Sequence, residues 1–333
     1  MQTVVFYNFE NYKIETCVGV CCTINFELLY KMILISDILN TVNYEKFIGD
    51  KNHAISNIIS IKDFAYVEDQ SQVVTWCSIK NQQMLKEIQA GTIICDRNTN
   101  TEYLNLNSCN YLFVENPRKV FKQILEHFFV EHEVDYTIQK SAFIDPSVQL
   151  GPNVKIGHNV VIEKNVVIGD YTEINHNTVI LSNTVIGNHV KIGCNCTIGS
   201  NGFGYEKNEK GENEFIPHIG NVIIADHVVI GNNNTIDRAV LGSTVINEFV
   251  KTDNLVHIGH GVKIGRNTLI AASATFSGSV TMGENVWVSP ATTIINDIKI
   301  GDNALLGLGT VVIKNVEQGK TIVGNPGKEI VKK

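Results

Sequence analysis

The chain has 333 residues, with 27 Lys and Arg against 34 Asp and Glu and a net charge of −7. Charged residues make up 18% and hydrophobic residues 44%, a balance that excludes a disordered chain. With no cluster of Lys or Arg on an acidic chain, nucleic acid is excluded as an expected partner.

The apolar stretch Cys17–Phe26 is closed by Glu27 and Lys31 and falls short of the roughly 20 residues that a membrane span needs. Glu10 and Glu15 stand where a signal peptide would carry positive charge. These features predict a cytoplasmic protein with no membrane span. Residues 1–31 precede Met32, itself a candidate start residue, and are read either as an extension or as part of the first domain. That domain, residues 1–140, shows helical spacing over Ser36–Tyr44 and Arg118–Phe129 and short β-branched runs at Val73–Cys77 and Thr92–Cys95, which predicts a small α/β unit. The polar segment Glu131–Ser141 marks its end. The eight cysteines (17, 21, 22, 77, 95, 109, 194, 196) lack the paired spacing of a disulfide framework or zinc knuckle, so reduced, mostly buried thiols and no metal are expected.

From Ile144 an aliphatic residue recurs every six positions, through Leu150, Ile156, Ile162 and onward to Ile198. The phase breaks for an inserted loop over residues 200–223 and resumes at Ile224, Ile230 and Ile236. After a two-residue slip it runs through Val240, Ile246 and Thr252, the only polar exception, to Val312. A period of six matches neither a helix nor a flat strand. It matches a solenoid in which three hexads form one triangular coil, and parallel strands stack at about 4.8 Å per coil. A mainly β fold is expected: a parallel β-helix over 141–333 preceded by the small α/β domain.

A coil of three hexads is also a ruler, because residues 18 apart stand above one another. On it His260 shares a column with Gly242 below and with Gly278 and Asn296 above. A histidine beside an unhindered backbone N–H is what acyl transfer from a thioester requires: imidazole takes the amine proton and the amide holds the oxyanion. The pair His257 and His260 also suggests a metal site of the kind held by β-helical carbonic anhydrases, for which no third ligand is evident. His158, His176, His189 and His227 are read as surface residues. Phe276, Met282 and Trp287 are left open between core and pocket wall.

The segments Gly199–Tyr205, Ile216–Gly220, Thr235–Arg238, Asp253–Asn254 and Ile258–His260, with Glu115-Asn116-Pro117 in the first domain, closely resemble the UDP-3-O-acylglucosamine N-acyltransferases of lipid A synthesis in order and spacing. The resemblance implies a left-handed β-helix and a homotrimer with its cleft between subunits, walled partly by Gly202–Tyr205. It places His260 on the family's catalytic base and Gly278 on the oxyanion position. It also implies substrate contacts at Trp76, Asn201, Phe203, Tyr205, His218, Asp237, Asn254, His257, Asn296 and Asp297, with Asp237 and Asp253 as candidates to orient His260.

The departures from the family also carry expectations. A second family histidine falls at Asp297, which cannot donate while ionised. In the uracil pocket Trp76 keeps the aromatic position, whereas Ile79 and Gln82 replace the other two. The ending Val323–Lys328 resembles that of coenzyme-A-dependent sugar acetyltransferases, which implies contacts from Gly324 and Lys328 to a coenzyme A thioester acting as co-substrate, with no permanently bound cofactor. The expected function is therefore transfer of a short acyl group, acetyl or 3-hydroxybutyryl, from acyl-CoA to the amine of a dTDP- or UDP-linked aminodeoxyhexose. The alternatives are the acyl-carrier-protein-dependent lipid A enzyme and a non-catalytic or metal-binding β-helix.

Overall fold

The computed structural model describes residues 7–8, 25–26, 32–64, 69–89, 91–130 and 137–330. The chain divides into two compact units between residues 133 and 134. Tyr7–Asn8 pairs antiparallel with Asn25–Phe26; the rest of the segment 1–31, including Cys17, Cys21 and Cys22, lies outside the described residues, as does most of the polar segment that starts at Glu131.

In the first unit a five-stranded sheet runs in the order Lys46–Ile48, Cys109–Val114, Gly91–Asp96, Val73–Cys77, Asn57–Ile58, antiparallel at the first pair and parallel elsewhere. Cys109–Val114 is buried along its whole length, as a central parallel strand covered on both faces must be. The helix Pro117–Ile124 starts where Asn116 accepts a hydrogen bond from Lys119 N at 3.0 Å and Pro117 occupies the first turn, where no N–H is missed. The other helix is shorter than its spacing suggests, Ile35–Thr41, because the β-branched Val42 is already extended. Apolar clusters lie on the two faces of the sheet. Cys77, Cys95, Cys109 and Cys196 are buried free thiols and Cys194 is a half-buried one. Burial pushes the Cys77 thiol up to about 11.

The second unit is the parallel β-helix expected from the period of six, left-handed as the family resemblance implies. Its strands, most of them two residues long, stack into three sheets of nine, eight and ten strands among the described residues. In each strand the second residue points inward, so Ile162, Ile180, Ile198, Ile236, Ile258, Phe276, Ile294 and Val312 form one continuous internal column. No coil could cover this apolar face alone. The corners need a left-handed residue, and Asn153, Asn159, Asn165, Asn177 and Asn183 supply it with φ of 56–64°, because a short amide side chain tolerates that region. The repeat starts one hexad earlier than its sequence signature, with Ile138 bridged to Ile156. Thr252, the polar exception, is satisfied within the core: Gly231 N donates to its hydroxyl, which donates to Asn234 Oδ1.

The register read after Ile236 needs correction. The interruption after Ile236 is a four-residue insertion, since Ile224 pairs with Ile246 and Ile236 with Ile258. Val240 is a half-buried turn residue whose carbonyl accepts from Ile219 N, and not an inward rung. The residue below His260 is consequently Arg238, while Gly242 belongs to another column, its carbonyl bonded to Asn221 N. Phe276 and Met282 are core, whereas Trp287 is 46% exposed on an outward rung between Leu269 and Leu305. The histidines at 158, 176 and 189 are exposed, as expected, and His227 is half-buried, and their rings stack along the surface. His158 stacks on His176 at 5.4 Å, and His189 stacks between Tyr171 and His227 at 5.1 and 5.0 Å.

Because Phe276 is fully buried in the stacked column, Phe276→Ala is expected to cost about 3–5 kcal/mol of unfolding free energy. Denaturant unfolding followed by circular dichroism checks this, and a cost below about 1 kcal/mol would place the ring outside the core. Among the described residues no helix is long and apolar enough to cross a membrane.

Candidate active site

One corner of the β-helix carries a cavity of about 450 Å³ lined by Phe203, Asp237, His257, Gly259, His260, Thr275, Ser277, Gly278, Ser279, Asn296 and Asp297. Register explains the assembly. His257 pairs with Thr275 and Ile258 with Phe276, so His260 lies directly below Gly278, and Gly278 lies below Asn296. A Cβ placed on Gly278 would lie 2.5 Å from both Cε1 and Nε2 of His260. The imidazole therefore packs flat on a position where only glycine fits. Gly202, from the inserted loop, also approaches so closely that a Cβ there would lie 2.8 Å from His260 Cβ and Cδ2. Two glycines crowd His260, Gly278 over the ring face and Gly202 at its Cβ–Cδ2 edge.

The same corner leaves backbone donors open. At this position of a hexad the outward N–H is commonly taken by the side chain one coil on: Asp170 N donates to Asn188 Oδ1 at 2.9 Å, Cys194 N to Asn232 Oδ1 at 2.7 Å and Glu284 N to Asp302 Oδ1 at 2.8 Å. Above His260 stands a glycine with no side chain to offer. Above Gly278 stands Asn296, whose amide instead donates to Asp297 Oδ2 at 2.6 Å. Among the described residues neither His260 N–H nor Gly278 N–H has an acceptor. An uncapped N–H on a cavity wall is ready to hold an oxyanion.

Asp237, 7% exposed, accepts from Ser200 Oγ at 2.7 Å and stands 3.8 Å from His257 Nε2. Burial pushes its carboxyl up; Ser200 and the three imidazoles of His257, His260 and His218 pull in the opposite direction. His257 Nδ1 is bonded to Thr235 Oγ1 at 2.8 Å. Of the two aspartates considered for orienting His260, only Asp237 lies at this corner. Asp253 binds the N–H of Asn254 instead.

Of the expected contacts, Phe203, Asp237, His257, Asn296 and Asp297 line the cavity with His260 and Gly278. The others do not. Asn201 pairs in register with Arg238, and Tyr205 sits on the hairpin with its ring edge-on to Phe203 and Phe215. Asn254 Oδ1 caps Asn232 N at a different corner. His218 is buried behind the cavity wall. Gly324 and Lys328 close the far end of the β-helix, where Gly324 O accepts from Val311 N and Lys328 pairs with Val323; Val311 is three rungs above His257. Thr275, Ser277 and Ser279 line the cavity unforeseen, although each stands one coil above His257, Gly259 and Gly261.

Trp76 belongs to the first unit, half-buried on a cavity of about 260 Å³ with Ser60, Ile61, Lys62, Ser78 and Asn81. Ile79 and Gln82 are not on its wall, and Gln82 Oε1 is occupied by Asn100 N. Asn81 supplies an amide there that the sequence comparison did not single out. Among the described residues no group of three or more His, Cys, Asp or Glu side chains is placed to hold a metal ion.

Comparisons with known proteins agree with this architecture. Residues 243–278 match the bacterial transferase hexapeptide family, and residues 126–203 match the GMPPB C-terminal domain. Over 83 residues, 25% of this chain and 24% of the relative, the chain is 55% identical to the UDP-3-O-acylglucosamine N-acyltransferase of Cytophaga hutchinsonii. Over 84 residues it is 54% identical to the same-named protein of Chlorobium chlorochromatii, covering 25% and 23%. The matched region thus spans about a quarter of these relatives. Among solved structures, the UDP-N-acetylglucosamine acyltransferase LpxA of Bacteroides fragilis superposes with a TM-score of 0.53 at 26% identity, covering 58% of this chain and 74% of that one. LpxA of Acinetobacter baumannii gives 0.53 at 23% identity. The chain folds as a left-handed parallel β-helix built on hexapeptide repeats, and over the matched quarter of its length it resembles the UDP-3-O-acylglucosamine N-acyltransferases.

Proposed function

We propose that the corner cavity transfers an acyl group from a thioester to the amine of a nucleotide-linked amino sugar, with UDP-3-O-acylglucosamine the foremost acceptor. The observation that carries this reading is the packing of the His260 ring on Gly278, whose backbone N–H is free at the same cavity. The amine nitrogen attacks the thioester carbonyl and its proton passes to His260. The carbonyl oxygen becomes an oxyanion held by the Gly278 N–H. The tetrahedral intermediate then collapses, the C–S bond breaks, and the imidazolium returns the proton to the leaving thiolate. Amide and thiol are the products, with no acyl-enzyme.

The relatives' names favour the lipid A substrate over the short-acyl aminodeoxyhexose reading that the chain's ending suggests. Phe203, 87% exposed on the cavity wall, supports a site completed by a neighbouring copy, as in a homotrimer. Trp76, beside an open cavity, supports stacking on a pyrimidine base.

A free-thiol release assay tests substrate and donor together. UDP-3-O-acylglucosamine with a 3-hydroxyacyl carrier-protein thioester forms one arm. Acetyl-CoA and 3-hydroxybutyryl-CoA with UDP- and dTDP-linked aminodeoxyhexoses form the other. Turnover in the first arm is expected. Turnover in the second arm alone would restore the short-acyl reading, and none in either would remove the acyltransferase reading.

A further inference from the structure

His218 is 6% exposed and does not touch the cavity, yet its chemistry is unusual for a core residue. Its Nδ1 lies 2.7 Å from the carbonyl oxygen of Ile216. A carbonyl can only accept, so Nδ1 carries the hydrogen and the neutral ring has a bare lone pair on Nε2. That Nε2 is buried and has no hydrogen-bond partner. A buried polar atom without a partner is costly and calls for a reason. The ring is fixed from two sides: it stacks on Phe215 at 5.3 Å with an interplanar angle of 11°, and it meets His260 edge-on at 5.4 Å and 88°. A Cβ on Gly202 would lie 3.1 Å from His218 Nε2 and 2.8 Å from His260 Cβ and Cδ2. The lone pair therefore faces the crevice in which Gly202 meets the proposed base.

We propose that His218 is a positioning residue for His260, its buried Nε2 lone pair giving the negative pole that steadies the imidazolium formed as the amine proton is transferred. Its tautomer, set by the Ile216 carbonyl, keeps the negative end of the ring dipole toward His260 in a site where burial strengthens such interactions. Asp237 acts on the same ring from the strand below, and His218 adds a fixed dipole from the loop side. The role rests on the reading of His260 as the base.

Three variants and one spectrum test it. His218→Phe keeps a flat ring against Phe215 but has no acceptor; His218→Gln keeps an acceptor. With UDP-3-O-acylglucosamine and the thioester donor that supports turnover, His218→Phe is expected to lower kcat roughly tenfold with KM within about twofold, and His218→Gln to recover most of the loss. In a His260→Ala background His218→Phe is expected to have no further effect, because the two act as a unit. Equal kcat in the Phe and wild-type proteins, an equal loss in Phe and Gln, or a full loss repeated in the His260→Ala background would each overturn the proposal. Nitrogen-15 spectra of histidine-labelled protein give a readout that needs no turnover. An unprotonated Nε2 on His218 is expected, and a protonated one would remove the lone pair on which the role depends. A His260→Ala protein of full activity would instead sink the parent reading and leave that spectrum unchanged.

Discussion

His260→Ala is expected to lower kcat by roughly 10²–10⁴-fold, the span that a positioned general base contributes, with little change in KM or thermal stability. The asymmetry follows from where the ring sits. His260 is half-buried at the cavity wall, outside the stacked column whose rung at this coil is Ile258. Removing the ring opens space toward an already accessible cavity, so no closed void is left in the core and the transfer cost stays small. The backbone N–H of Gly278 is untouched, and with substrate binding it sustains the residual rate. Thiol-release kinetics beside a thermal melt decide the matter. A variant that keeps near-wild-type kcat shows that the proton leaves by another route, whereas one that loses activity together with its melting transition shows a structural role only.

How much of this site could be read beforehand depends on what each residue's neighbours are. Coils stack residue on residue at fixed spacing, so one dimension of sequence determines the column from His260 to Gly278 and Asn296, and the aliphatic period sets it without further information. The insertion after Ile236 passes for a two-residue slip in the sequence because Val240 imitates an inward aliphatic at a plausible distance, although its carbonyl serves a turn. That slip alone draws Gly242 into the wrong column. Thr275, Ser277 and Ser279 were accessible to the same ruler but carry no distinctive chemistry, since small hydroxyl residues suit any exposed rung. The family resemblance singles out His218 as a substrate contact, but its burial beside His260 is not legible, because that depends on how the hairpin Tyr205–Lys207 and Asn213–Phe215 folds back over Gly202 and Gly204, and no repeat governs that path. In the first unit, Val73–Cys77 and Gly91–Asp96 were legible as β-branched runs, whereas Cys109–Val114, covered on both faces, shows no alternation and holds Asn110, whose Oδ1 accepts Asp50 N.

Gly278→Ala separates position from chemistry, because it removes no catalytic group and yet is expected to lower kcat by roughly 10²-fold or more, as small displacements of a reacting group do. The added methyl would lie 2.5 Å from His260 Cε1 and Nε2 and 3.0 Å from Nδ1, well inside contact distance. Gly202 crowds the Cβ–Cδ2 edge of the ring, where a Cβ would lie 2.8 Å away, so little room is left along the wall and the ring is expected to swing out into the cavity. The backbone imposes no second penalty, since Gly278 is not among the glycines with positive φ. Thermal stability should therefore stay close to wild type, and the N–H remains in place for the oxyanion. Combining Gly278→Ala with His260→Ala should give a rate close to that of His260→Ala alone, for the methyl acts only through a ring that is no longer there. Full activity in Gly278→Ala would mean that the imidazole does not need its present seat against the bare peptide. A double variant far slower than either single one would mean that the methyl obstructs the thioester itself, and the oxyanion would then have to be held by another donor.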